Sequence, residues 1–211
     1  VDPKSGKQFW DTLTDKDVVI IPAFGARDED KVRLIERGLP INAYDATCML
    51  VEKVWKATKR YGQRGFTVVI HGKAEHEETK ATFSNSAKYA PSLIVRDMKE
   101  AALLAKVIQA EDPDERERLF EPFRDRCSAD FDVSRHFEKL ALVNQTTLLR
   151  NETLKIIAYL ESALEARYGS AHIEEHMAMS SKGDTLCYAT QVNQDALAQA
   201  ITEPIDVAIV V

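Results

Sequence analysis

The stretch "FTVVIHGKAEHEETKAT", Phe66 to Thr82, joins an apolar run of strand length to a glycine and then to the densest polar cluster of the chain. Phe66 to Gly72 reads as a strand, and a shorter segment begins at His76. Open α/β sheets bind their ligands just beyond the carboxyl ends of their strands. A polar cluster in that position is therefore a candidate site as well as a connection.

The same rhythm extends in both directions. Upstream, "DVVIIPA" (Asp17 to Ala23) reads as a buried strand, followed by a polar helix "DEDKVRLIERG" that ends at Gly38. "INAYDA" is short and reads as extended. From Thr47 onward Leu50, Val51, Val54, Trp55 and Tyr61 keep helical spacing, Lys56, Lys59 and Arg60 fall in the last turns, and Gly62 is the expected stop. Downstream, "SLIVRD" is a strand, and a helix runs from Met98 to about Ala110. The acidic "EDPDERERLFEPFRDRCSADFD" breaks the pattern and reads as an exposed, partly helical insertion. "KLALVNQ" resumes the sheet. Asn151 is the expected N-cap of a helix with Leu154, Ile157, Leu160, Leu164 and Tyr168 on one face and Gly169 at its end. "DTLCYA" leads into a helix to about Ile201, and "IDVAIVV" is a last strand. Alternation of this kind predicts an α/β fold with largely parallel sheets, with Pro91 and the acidic insertion as internal boundaries.

Composition narrows the function classes. At 211 residues, 45% hydrophobic and 29% charged, the chain has the make-up of a globular protein with a buried core. The net charge of −6 and the lack of a basic stripe exclude a general nucleic-acid binder. No run approaches the length of a membrane span, and the start shows no signal-peptide pattern. Three cysteines do not make a disulfide framework, so a reducing compartment and metal or redox chemistry are the better expectation. The first residue is Val1, and the last strand-like run stops without a turn, which leads us to expect a piece cut from a longer protein.

Cys48 and Cys187 share a setting: "DATC" and "DTLC" each place the cysteine at the end of a strand-like run and at the opening of a helix. A helix N-terminus offers unpaired N–H groups and partial positive charge, which favour thiolate, the form that ligates iron. Two buried, inert cysteines would look the same. Cys127 lies in the acidic segment and reads as structural. In the cluster after Phe66, His76 can contact an anionic oxygen and Glu78 can deliver a proton if its pKa is raised; a solvated loop of mixed charge is the plain alternative. Gln145, Thr146 and Thr147 follow the "KLALVN" strand, and Thr190 follows Cys187; their polar groups suit a substrate or simply a turn. "HIEEH" (His172 to His176) has the spacing of an inverted zinc-protease pattern, but no third ligand is evident.

Together "DATCMLVEKV", "IHGKAEHEETKATFS", "NQTTLLRNET" and "DTLCYATQVNQDA" resemble, in order and approximate spacing, the 4-hydroxy-3-methylbut-2-enyl diphosphate reductase family. "IPAFGA" and the acidic segment resemble its plant and cyanobacterial branch. The resemblance implies a trefoil of three similar small α/β domains: the C-terminal part of the first in residues 1–48, the second in 49–186 with an insertion at about 111–136, and the start of the third in 187–211. It implies a [4Fe–4S] cluster on three cysteines. Cys48 and Cys187 match the second and third, and the first is absent from this chain. One iron left without a cysteine would bind the substrate hydroxyl, which is lost as water to give isopentenyl and dimethylallyl diphosphate.

Carried over by position, His76 is implied as a diphosphate contact, Glu78 as the proton relay, and Thr146, with Gln145 beside it, as the neighbour of the substrate hydroxyl. Thr190 falls at the edge of the pocket. The segment that grips the diphosphate is expected just after Val211. Phe24 stands where much of the family has a histidine, which implies that one diphosphate contact is absent or replaced by an aromatic wall. The resemblance also implies ferredoxin or flavodoxin as electron donor and a bacterial cytoplasm or plastid stroma as location. These 211 residues alone are expected to be inactive, as a scaffold that binds diphosphate weakly at most.

Overall fold

The computed structural model describes residues 9–178, 185, 187–202, 204–207 and 209. Its centre is a three-stranded, wholly parallel sheet in the order β2-β1-β3, formed by β1 (Thr67–His71), β2 (Ser92–Val95) and β3 (Leu140–Asn144). Val69 pairs with Leu93 on one side and Leu142 on the other. Every residue of the three strands is buried. Their sequences are nearly continuous apolar runs because both faces of the sheet are covered.

The period of two divides those runs between two cores. Val69, Leu93, Val95, Leu140 and Leu142 face α5 (Met98–Gln109) and α7 (Arg150–Tyr168), whose Leu104, Ile108, Ile156, Leu160 and Leu164 complete one cluster. Val68, Ile70, Ile94, Ala141 and Val143 face the opposite way, onto Val54, Ala57 and Tyr61 of α3 (Met49–Gln63), with Phe83 of α4 (Glu77–Ala87) at the margin. A smaller cluster of Ile21, Leu34, Leu39 and Ile41 gathers around α2 (Asp28–Glu36), which follows the one-turn α1 (Phe9–Thr12).

Several local expectations are corrected. "DVVIIPA" forms no strand: Val18 and Ile20 are 58% and 68% exposed, and only Ile21 is buried, bridged in parallel to Asp45. An apolar run can pair only where a neighbouring strand lies beside it. Residues Ile41–Tyr44 form a 3₁₀ turn rather than an extended segment. The segment after His76 is a full helix, α4. Gly62 does not stop α3. It sits inside the helix where a Cβ would run into the Tyr89 carbonyl group, and the chain turns instead at Gly65, with φ +77°. Leu149, not Asn151, precedes the first turn of α7; the buried face of that helix runs through Thr153, Ile156, Leu160, Ala163 and Leu164, and Leu154 is exposed. Gly169, at φ +86°, ends the helix as expected.

The acidic segment is not a loop laid over the surface. It forms α6 (Pro113–Phe120) and a 3₁₀ turn (Glu121–Arg126), and it sends Phe120, Phe123, Phe131, Val133 and Phe137 into the larger core. Most of its charges remain outside; Arg116 is buried, with its guanidinium donating to the Ala110 carbonyl. Cys127 makes an antiparallel bridge to Leu93 at the outer edge of β2, and burial pushes its thiol pKa up, in keeping with a structural role. After α8 (Ile173–His176) comes α9 (Tyr188–Ala200), which buries none of its residues. In the "IDVAIVV" run, residues 205–207 and 209 form no strand, and the rest lies outside the described residues. No helix among the described residues is long and apolar enough to cross a membrane.

Candidate active site

The strand order places a topological switch point between β1 and β3: the chain leaves β1 through α4 on one face of the sheet, and leaves β3 into α7 on the other. The two loops leave the carboxyl edge there side by side, at the general ligand position of such sheets, and the Lys73 N–H and Glu78 Oε1 join them through Gln145 and Thr146. Residues 72–76 form the loop after β1, and residues 145–149 the loop after β3. The expected residues His76, Gln145 and Thr146 therefore fall in these two loops, and Glu78 lies in the first turn of α4.

His76 caps α4 with its side chain. Nδ1 accepts the Glu78 N–H at 3.2 Å, which leaves the ring proton on Nε2, free to donate outward. The Phe24 ring stands edge-on to the imidazole, centroids 5.8 Å apart. Glu78 is 1% exposed, and its Oε1 accepts the Thr146 N–H at 2.5 Å. Burial raises its pKa above the ordinary carboxylate value and outweighs the Thr146 hydrogen bonds and the nearby His76, which pull it down. A buried carboxyl that keeps its proton to higher pH is suited to proton delivery. Thr190 in α9 donates its hydroxyl to the Thr146 carbonyl at 3.2 Å, which brings that helix to the same loop.

Gln145 is placed differently from the expectation of a substrate contact. It is buried, and its carboxamide is taken up by Lys73, Thr79 and Thr147. Beside it Asn144 is wholly buried, donates Nδ2 to the Gln145 carbonyl and leaves Oδ1 with no partner among the described residues. His71, the last residue of β1, is also buried; its Nδ1 shares a 2.8 Å hydrogen bond with Thr153 Oγ1, and desolvation lowers its pKa. Sequence reasoning passed over Lys73, Thr79 and His71. Their only signal was membership of the polar stretch that begins at the end of β1.

Cys48 and Cys187 each occupy the N-cap position of a helix, α3 and α9, and each thiol is half-buried. The Cys48 N–H donates to the Ala23 carbonyl at 2.9 Å, next to Phe24, and Thr190 ties the first turn of α9 to Thr146. Cysteine sulfurs are the donor type that holds an iron–sulfur cluster, so these two residues fit one in kind. They do not fit it in number: among the described residues no three His, Cys, Asp or Glu side chains are grouped to hold a metal. The "HIEEH" stretch has a different use. His176 stacks on Tyr168, ring centroids 3.9 Å apart, with Nδ1 2.6 Å from the Glu138 carbonyl oxygen, and His172 pairs with Glu175.

Comparison with known proteins gives a consistent result. The model of the LytB protein family matches residues 4–211. The 4-hydroxy-3-methylbut-2-enyl diphosphate reductase of Synechococcus sp. (strain CC9902) is 38% identical over 208 residues, 99% of this chain and 50% of the relative. The Nostoc sp. protein of the same name is 37% identical over 99% of this chain and 49% of the relative. The chain therefore spans about half the length of the curated relatives it matches. The solved structure of the E-1-hydroxy-2-methyl-but-2-enyl-4-diphosphate reductase from Plasmodium falciparum superposes with a TM-score of 0.59 at 21% identity, over 91% of this chain and 47% of that one. A second structure, of (E)-4-hydroxy-3-methyl-but-2-enyl diphosphate reductase, the terminal enzyme of the non-mevalonate pathway, gives 0.55 at 19% identity, over 75% and 45%. At these identities the structural likeness speaks for the α/β fold.

Proposed function

The chain belongs to the LytB protein family, and we propose that it supplies the proton-delivering part of a 4-hydroxy-3-methylbut-2-enyl diphosphate reductase. In this reading the substrate takes up two electrons and two protons, its C4–O bond breaks, and water leaves to give isopentenyl or dimethylallyl diphosphate. The observation that carries the reading is the junction at the switch point, where the buried Glu78 carboxyl, the Thr146 amide and the His76 cap come from two diverging loops.

Each residue has a task. His76 Nε2–H donates to a diphosphate oxygen, its tautomer held by the Glu78 N–H. Glu78 holds a proton for the departing hydroxyl, and the Thr146 N–H fixes the carboxyl so that its other oxygen is available. Thr146 and Thr190 border the reacting end. Cys48 and Cys187 would hold two corners of a [4Fe–4S] cluster, which when bound supplies the electrons and a Lewis-acidic iron for the hydroxyl. Ferredoxin or flavodoxin is the fitting class of electron donor. The division into a second α/β domain at 49–186 between parts of two others belongs to the same reading; all three strands lie within that span. With two of the three cysteine ligands that the resemblance implies, Cys48 and Cys187, the 211 residues by themselves are expected to hold no complete cluster and to lack turnover.

The test is turnover by a protein carrying this chain at the full length of its curated relatives, purified without oxygen and supplied with a reduced low-potential dye. We expect both diphosphate products, and at least about a 100-fold loss of rate in Glu78→Gln, the lower end of what a positioned general acid contributes. An unchanged rate in that variant would remove Glu78 from proton delivery. No product from the unsubstituted protein would overturn the assignment.

A further inference from the structure

We infer that Gln145 is a positioning residue: its buried carboxamide clasps the loop after β1 to the loop after β3 across the switch point, and so fixes where the Thr146 N–H meets the Glu78 carboxyl. The inference rests on the roles proposed above for Glu78 and Thr146.

Gln145 is 3% exposed. Its Oε1 accepts two hydrogen bonds, from the Lys73 N–H at 3.1 Å and from Thr79 Oγ1 at 3.0 Å. A backbone N–H can only donate, so the atom facing Lys73 must be the amide oxygen, and the orientation of the carboxamide is fixed. Nε2 donates to Thr147 Oγ1 at 2.6 Å. Both lone pairs and one N–H are thereby used, and a single N–H is left for any other partner. One side chain thus joins the loop after β1, helix α4 and the loop after β3. The crowding is matched to this arrangement: a Cβ on Gly72 would come within 2.6 Å of Thr79 Oγ1 and 3.4 Å of Gln145 Cβ.

The link to Glu78 runs through one peptide unit. The Gln145 carbonyl and the Thr146 N–H belong to the same planar trans peptide and point in opposite directions. The carbonyl is held by Asn144 Nδ2 and by the Leu148 N–H, both at 3.0 Å, and the Gln145 N–H continues the ladder to His71 O at 2.8 Å. With the carbonyl, the preceding N–H and the side chain all anchored, the Thr146 N–H is aimed at Glu78 Oε1.

The experiment is amide hydrogen exchange by NMR on the 211-residue chain, comparing the parent with Gln145→Met and Thr79→Val. In Gln145→Met the Lys73 and Thr146 amides should exchange at least about fivefold faster, while the strand amides of Val69 and Val143 stay within about twofold. Thr146 makes no hydrogen bond to the Gln145 side chain, so its acceleration reports repositioning. Thr79→Val, which keeps the side-chain volume and removes one bond of the clasp, should accelerate Thr146 by about twofold to threefold. The second readout is the Glu78 carboxyl titration by ¹³C NMR, which should move further upward in Gln145→Met as the Thr146 hydrogen bond loosens. Unchanged Thr146 exchange, or an unmoved Glu78 titration, would overturn the inference. If Gln145→Met does not fold, unchanged Thr146 exchange in Thr79→Val overturns it alone. These readouts are independent of turnover, so a failure of the reductase reading would appear in the activity assay and leave the clasp standing.

Discussion

Replacing Phe120 with alanine tests whether the acidic segment belongs to the core that carries the site. Phe120 is the last residue of α6, wholly buried within a stretch whose composition is dominated by charge. Its ring stacks on Phe131 at 5.0 Å and on Phe123 at 5.7 Å, and meets Phe137 edge-on at 5.6 Å. These rings share one cluster with Val69, Leu93 and Leu142 of the sheet. Truncating a buried phenylalanine costs about 3–5 kcal/mol in lost transfer free energy and residual cavity. Paired aromatic geometry adds about 0.5–1.5 kcal/mol beyond area, which favours the upper half of that range. At about 4 kcal/mol, and about 2–4 °C per kcal/mol for a chain of this size, Tm should fall by about 8–16 °C. The assay is urea unfolding followed by fluorescence of Trp10 and Trp55, with thermal melts beside it. The exposed neighbour Glu121→Ala serves as control and should stay within about 0.5 kcal/mol of the parent. A loss below about 1 kcal/mol for Phe120→Ala would mean that the segment is a detachable flap, and the packing argument would fail.

Three further outcomes follow from single residues. Because burial raises the Glu78 pKa, the folded chain keeps that proton to higher pH than the unfolded chain. The stability this group contributes is complete below the unfolded carboxyl value, near 4.5, and is lost as pH rises through the folded one. Gln does not titrate, so the stability of Glu78→Gln relative to the parent should rise from acid to neutral pH; a difference flat in pH would contradict the buried, proton-holding carboxyl. Gly62→Ala should destabilise by about 1–3 kcal/mol in urea, because the added Cβ meets backbone at Tyr89 and overpacking outweighs the helix-propensity gain of about 1 kcal/mol. A net gain would show that the close approach is not real. Gly65→Ala meets nothing within 4 Å but must hold φ +77°, so its cost should be the left-handed strain alone, about 1–2 kcal/mol, and a neutral result would contradict that conformation.

What the sequence made legible was whatever depends on a residue's own side chain. β1, β2 and β3 could be read because both their faces are covered and their runs are apolar throughout. "DVVIIPA" has the same look, yet Val18 and Ile20 face solvent, since pairing depends on a neighbour that the run itself does not encode. In the acidic segment the charges masked Phe120, Phe123, Phe131 and Phe137, whose irregular spacing matches no helix or strand period. The site divides in the same way. His76, Glu78 and Thr146 stand out as groups that could touch a ligand next to strand ends. The partner of Glu78 is a backbone N–H, one partner of Gln145 is another, and the capping donor to His76 is a third. Every residue type except proline carries that group, so a sequence cannot mark which of them is used. The geometry of this site is set by main-chain donors held in place by the strand order 2-1-3. A variant that keeps His76, Glu78 and Thr146 but disturbs that main chain, as Gln145→Met is expected to do, would keep these three side chains and lose the alignment of the Glu78 carboxyl with the Thr146 N–H.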